Sequence, residues 1–230
     1  MQESSSPTRT NGQFSWLLGA ALVVWLAVAV AGWYGISAYG FSGDHRATAS
    51  APQHWPADST IARMPGRATL VLFLHPKCPC SRASVAELER LSALVPSAAL
   101  PDICVVASAP RSTGDLWWSS PLLARAARLP NAHIVRDPGG VETALFDAQV
   151  SGAVLLFDEQ GRRLYAGGVT MSRGHDGDNA GLRAVVALLL NHNAHVSSIP
   201  PFGCEVVRED AQSSAATQTP SSRTAGGDPL

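Results

Sequence analysis

Residues 68–75, ATLVLFLH, constrain this 230-residue chain more than any other stretch. A strand with one wet face alternates apolar and polar residues, whereas a continuous apolar run belongs to a strand buried on both faces. Within three residues the run gives way to Cys78-Pro79-Cys80 and then to residues 81–95. There Val85, Leu88, Leu91 and Val95 fall at helical spacing until Pro96 stops the pattern. Strand and helix signals then keep alternating. Residues 102–107 (DICVVA) read as a second buried strand, and Ser120-Pro121 opens a helix that reaches Leu129 before Pro130. Residues 133–135 read as a short strand and 141–148 as a short helix. Residues 153–157 and 162–168 flank Asp158-Glu159-Gln160-Gly161, a hairpin signal, and 179–190 form the closing helix with Asp178 as its cap. The order predicts an α/β fold with a mixed sheet.

Outside that domain the chain changes character. Residues 14–36 carry no charge, with Trp16 at one end and Trp33 and Tyr34 at the other. The run is long enough to cross a hydrocarbon core of roughly 30 Å, with aromatics where the interfaces fall. A cleaved signal peptide has a shorter apolar core behind a basic region, and Arg9 is the only basic residue before this run. The reading is a single retained membrane helix behind a short cytoplasmic tail, 1–13. Residues 37–67 read as a tether, 68–192 as the folded domain, 193–208 as a tail carrying Cys204, and 209–230 as disordered on composition. The net charge of −1 with no basic stripe excludes nucleic acid as an expected partner. The expected location is the inner (cytoplasmic) membrane, single-pass, with the soluble domain in the periplasm.

Two thiols at a strand-to-helix turn make a chemical site, redox or metal-binding. A helix N-terminus favours thiolate. Placing Cys78 at the N-cap, Pro79 at the first helical position and Cys80 next predicts a Cys78 pKa below the usual range of about 8.5. Lys77, the only lysine in the chain, adds a cation beside it, and His75 is close in sequence. Because the second hairpin strand runs parallel to the strand carrying the dithiol, the loop 169–178 (VTMSRGHDGD) emerges on the same edge. It brings Arg173, His175, Asp176 and Asp178 within reach. Cys104, among Ile103, Val105 and Val106, reads as a small buried hydrophobe. Cys204, in Pro200-Pro201-Phe202-Gly203-Cys204, reads as a resolving thiol, a third metal ligand or an intermolecular partner.

The element order, with a dithiol at the end of the first strand, resembles the thioredoxin fold. The extra helix–strand–helix over residues 120–148 resembles the insertion of membrane-tethered TlpA/ResA-type periplasmic proteins. The CPC motif, LYAGGVTMSRGHDGDNAG (164–181) and PFGC (201–204) resemble a bacterial group labelled RedB-like. The sequence departs from that pattern twice. The dithiol is Cys-x-Cys with Ser81 at the usual second-cysteine position, and Gly152 stands where relatives place a cis-proline that packs on the dithiol and helps hold substrate backbone.

Two functional expectations follow. The first is a thiol–disulfide oxidoreductase with no cofactor, acting on thiol- or disulfide-bearing periplasmic proteins. In it Cys78, nearer solvent, attacks, Cys80 resolves, and Lys77, His75 and His175 assist. The alternative is a copper-holding protein using Cys78, Cys80 and His175, or Cys204, which is similar to Sco-type copper proteins; soft thiolates select Cu(I). A third is a non-catalytic thioredoxin-like interaction domain.

Overall fold

The computed structural model describes residues 10–44, 47–192, 194 and 198–206, with side chains from residue 14 onward. The cytoplasmic tail expected at residues 1–9 and the disorder expected of 209–230 lie outside the described residues. The chain divides into two units, Met1–Ser42 and Gly43–Leu230. The first is one helix, α1 (Thr10–Phe41), whose stretch Phe14–Phe41 is long and apolar enough to cross a membrane. Its large side chains, Trp16, Trp25 and Trp33 among them, are exposed.

The second unit is built on a five-stranded mixed sheet in the order β3-β2-β1-β4-β5. The strands are β1 (Thr69–Leu74), β2 (Asp102–Ala109), β3 (Ala132–Pro138), β4 (Val154–Phe157) and β5 (Arg163–Gly167). β1 lies at the centre, parallel to β2 and antiparallel to β4, and β4 pairs antiparallel with β5. Its apolar continuity has the cause the sequence implies. Leu70, Leu72 and Leu74 pack on one face with Val85, Leu88 and Leu91 of α2 (Ser81–Leu94), Leu122 and Leu123 of α4 (Pro121–Ala126) and Leu182 and Val185 of α6 (Ala180–Leu189). Val71 and Phe73 pack on the other face with Phe146, Leu155 and Phe157. Each such side chain, fully buried, contributes roughly 1.5–3 kcal/mol.

That second face shows why residues 47–61 are not a loose tether. α5 (Val141–Leu145) is five residues long and cannot cover it alone. Trp55 closes the gap edge-on against Phe146 and Phe157, with ring centroids 5.0 and 5.1 Å away, and Ala51 and Ile61 are buried beside it. The segment is fastened by the buried Glu142, whose carboxylate accepts from Ser59 Oγ (2.7 Å), Thr60 N (2.7 Å) and Thr60 Oγ1 (2.6 Å). A buried carboxylate is stable only when so satisfied. The element boundaries match the sequence pattern to a few residues. The cap of α6 is Asn179, which accepts from Leu182 N at 2.7 Å, rather than Asp178, which pairs with Arg183. A further short helix, α3 (Asp115–Trp118), which the sequence pattern does not predict, precedes α4.

Candidate active site: three thiols around one turn

The turn after β1 is held before the cysteines are reached. His75 N donates to Ser151 Oγ at 2.8 Å and Cys78 N to His75 O at 2.9 Å. Ser120, whose hydroxyl caps α4, also donates to Pro76 O at 2.8 Å. The amides of Ser81, Arg82 and Ala83 then donate to the carbonyls three residues back, at 3.3, 3.3 and 3.1 Å. This tight, 3₁₀-like turn carries the chain through Pro79 and Cys80, so α2 starts at Ser81 with Cys80, not Cys78, as its N-cap. Cys78 therefore stands outside the helix start. It is 3% exposed, while Cys80 is half-buried and Cys204 exposed, which reverses the expectation that Cys78 is the solvent-facing thiol.

Individual donors, one of them the first amide of α2, favour the Cys78 thiolate. Burial pushes this thiol up, but the Cys204 thiol and amide, then the Ser81 hydroxyl and amide, donate to its sulfur and bring it down to about 7. Lys77 is not among these causes, because its Nζ lies over the Trp117 ring, 4.3 Å from the centroid. The donors form an ordered chain. The His75 amide donates to Ser151 Oγ, Ser151 is hydrogen-bonded to Ser81 Oγ, and the Ser81 hydroxyl is left to donate to Cys78. Such a chain polarises along its length.

Cys204 arrives from the far end of the chain. Its Sγ lies 3.1 Å from that of Cys78. Burial and then the neighbouring Cys78 sulfur and its charge raise Cys204 to about 11. Cys80 is also raised, by burial first and then by the charge on Cys78, with Arg173 partly opposing. The segment carrying Cys204 is pinned beside residues 149–151. Ser151 N donates to Cys204 O (2.8 Å), Val206 N to Gln149 O (3.1 Å), and Val150 and Glu205 form an antiparallel bridge. Gly203 is required by this approach, since a Cβ there would lie 1.8 Å from the Ser151 carbonyl oxygen.

Gly152 explains the missing proline. Its φ is +95° and its amide donates to Phe73 O at 2.8 Å; proline can do neither. Among the described residues there is no cis peptide bond.

The loop after β5 does come to this edge, as the topology requires. Its Gly177 amide donates to Glu87 of α2, and Arg173 bonds Cys80 and the Gly203 carbonyl. His175 has a different setting: it is exposed, with Nδ1 2.8 Å from Arg173 O. Among the described residues no group of three or more His, Cys, Asp or Glu side chains is placed to hold a metal ion, so Cys78, Cys80 and His175 are not gathered as a coordination shell. His75 and Lys77 share Trp117, whose ring meets that of His75 at 4.9 Å. Burial and then the Lys77 charge lower the His75 pKa. Cys104 is fully buried, and burial pushes its thiol far up. Ser151, Trp117 and the docking of the tail escaped the sequence reading. Only the Ser-Gly pair at 151–152 hinted at a backbone position that must accept close neighbours.

No protein-family model matches the chain, and no curated protein matches it. Solved structures do. An uncharacterised conserved protein from Geobacillus kaustophilus is 18% identical, with a TM-score of 0.50 over 73% of this chain and 92% of that one. A hypothetical protein from Sinorhizobium meliloti is 19% identical, with a TM-score of 0.48 over 61% and 79%. A thiol-disulfide isomerase from Corynebacterium glutamicum is 13% identical, with a TM-score of 0.41 over 63% and 99%. Such likenesses concern the fold alone. With the sheet order and the thiol-bearing turn after its central strand, the fold is thioredoxin-like.

Proposed function

We propose that this chain is a thiol–disulfide oxidoreductase, held to a membrane by α1 with its folded unit outside the cytoplasm, in which Cys78 is the exchanging sulfur. The observation that carries the reading is the Cys78 sulfur at the turn after β1, 3.1 Å from a second thiol and with donors that bring it down to about 7 although it is buried. A buried thiol with no chemical task is inert and protonated, as Cys104 is. Thiolate at neutral pH is what disulfide exchange requires. Cys80, two residues on, is a second thiol of the Cys-Pro-Cys turn. The His75 amide orients Ser151, while the His75 ring and Lys77 both meet Trp117 beside the turn. Substrates would be thiol- or disulfide-bearing proteins of the same compartment.

The test uses the full chain in detergent and follows its exchange with oxidised glutathione and with the disulfides of insulin. Cys78→Ser should lower the rate at least a hundredfold, while Cys104→Ser leaves it unchanged. Exchange by Cys78→Ser at the parental rate would overturn the reading.

A further inference from the structure

Three thiols meet at this site, Cys80 hydrogen-bonded to Cys78 as well, and the sulfur 3.1 Å from that of Cys78 belongs to the residue 126 positions away. We propose that Cys204 is the redox partner of Cys78 and the port through which outside thiols reach it. The oxidised chain then carries a Cys78–Cys204 disulfide that substrates attack at Cys204. The proposal rests on the oxidoreductase reading and specifies its second cysteine and its substrate class.

The main chain is fixed on both sides of the contact. On the Cys204 side the strap is fixed by the Ser151 amide, by the Gln149 carbonyl and by Arg173 on the Gly203 carbonyl. On the Cys78 side the tight turn fixes the main chain, as described above. A separation of 3.1 Å needs a closure of roughly 1 Å to reach bonding distance.

Exposure then decides which sulfur is attacked. A thiolate approaches a disulfide along the S–S axis and must reach the sulfur it bonds. Cys78 lies beneath the strap at 3% exposure, whereas Cys204 faces solvent. The leaving group follows from the same arrangement, since the sulfur whose thiolate is better stabilised departs faster. That is Cys78, which receives the donors of Ser81 and of the Cys204 amide.

Written out, one thiolate of a substrate dithiol bonds to Cys204 Sγ. The Cys78–Cys204 bond breaks, and its electron pair leaves on Cys78 as thiolate. The substrate's second thiolate then attacks its own sulfur in the mixed disulfide, closing the substrate disulfide, and Cys204 departs and takes up a proton. Two electrons have passed from the substrate dithiol to the chain's disulfide. A disulfide-bearing protein running the same steps in reverse restores the oxidised chain.

The test is disulfide mapping of the full chain in detergent after equilibration with oxidised glutathione, alkylation and tryptic digestion. The peptide 78–82 should be found linked to 184–208, in the wild type and in Cys80→Ser, and the link should be lost in Cys78→Ser and in Cys204→Ser. Brief treatment of the oxidised chain with reduced glutathione should place the glutathione adduct on 184–208 at least tenfold more than on 78–82. Gly203→Val, which lifts the strap off Ser151, should slow formation of the link at least tenfold with the fold retained by circular dichroism. A disulfide confined to 78–82 with Cys204 fully alkylated overturns the inference and leaves the oxidoreductase reading standing, as does an adduct on 78–82. Absence of any disulfide together with absence of exchange overturns both.

Discussion

Replacing Cys204 with alanine isolates what sets the reactivity of Cys78. In the folded chain Cys78 titrates near 7, against 9.0 for an ordinary thiol, although burial alone would push it the other way. The Cys204 thiol is the largest of the lowering contributions, followed by the Cys204 amide and then by Ser81. Cys204→Ala removes the thiol donor and keeps the amide, because the strap is held by its main chain. It also admits water beside Cys78, which lessens the cost of burial and takes back part of the rise. The net expectation is a raised midpoint, so the thiolate fraction at pH 7 falls several-fold, each tenfold being about 1.4 kcal/mol of lost stabilisation. Alkylation of Cys78 by iodoacetamide, followed by peptide mass from pH 5 to 10 in a Cys80→Ser background, reads the midpoint directly. The midpoint is the observable, since the rate also depends on access. Lys77→Gln, which removes the ammonium held over Trp117 without adding a charge, is the control, and that midpoint should stay put. An unmoved midpoint in Cys204→Ala, or an upward shift in Lys77→Gln, would refute the account of how this thiolate is made.

The pH dependence of stability carries a definite sign. Cys78 ionises near 7 when folded and near 9.0 when unfolded, so between these values the unfolded chain binds more protons and stability rises with pH. That contribution is complete above 9.0 and is lost as pH falls through 7. Above 9 the raised Cys80, Cys104 and Cys204 oppose it, because the unfolded chain ionises them more easily. The fully reduced chain should therefore be most stable near pH 9, by on the order of 1 kcal/mol over pH 6 after solvent screening, and Cys78→Ser should abolish the rise in thermal melts. Gly152→Ala forces a side chain onto φ +95° with its Cβ 2.8 Å from Ser84 Oγ. It should cost about 1–3 kcal/mol in urea denaturation, and a loss under about 0.5 kcal/mol would contradict the geometry. His175→Ala should change exchange with glutathione less than about twofold, its ring being turned to solvent and to Arg173 O. A tenfold loss would bring the imidazole back into the site.

How far the sequence could be read depended on what kind of interaction fixed each part. The apolar run at 69–74 and the helical spacing of Val85, Leu88 and Leu91 are side-chain patterns imposed by burial, and they led to the sheet, the helix and the turn bearing the thiols. Topology was legible as well: two antiparallel steps from β1 to β5 bring the loop 169–178 to the edge where Cys78 lies. The strap was not legible. It is attached through backbone groups of Gln149, Ser151, Cys204 and Val206, and such bonds leave no periodicity in the residues that make them. The segment 47–61 was misjudged for a related reason. Its polar, Pro- and Ala-rich composition resembles a tether, while its anchoring comes from one Trp and two hydroxyls meeting a buried glutamate. The start of α2 shifted because three successive i→i+3 bonds tighten the turn around Pro79, which a rule placing proline at the first helical position does not anticipate. His175 and Arg173 are two residues apart on one loop, and only the position of the strap, through Gly203 O, shows that the guanidinium is the group that turns inward.

The central claim is that Cys78 is a redox sulfur. Its most direct test is equilibration of the full chain in detergent across a series of glutathione redox buffers, each sample quenched by alkylation and weighed residue by residue. The account predicts that Cys78 passes from fully alkylated to fully protected along a single two-electron curve within the range of the buffers, with one other cysteine following the same curve. Cys104 should stay in one state throughout. If Cys78 remains alkylatable at every potential, the chain does not form a disulfide at this site and the account is contradicted.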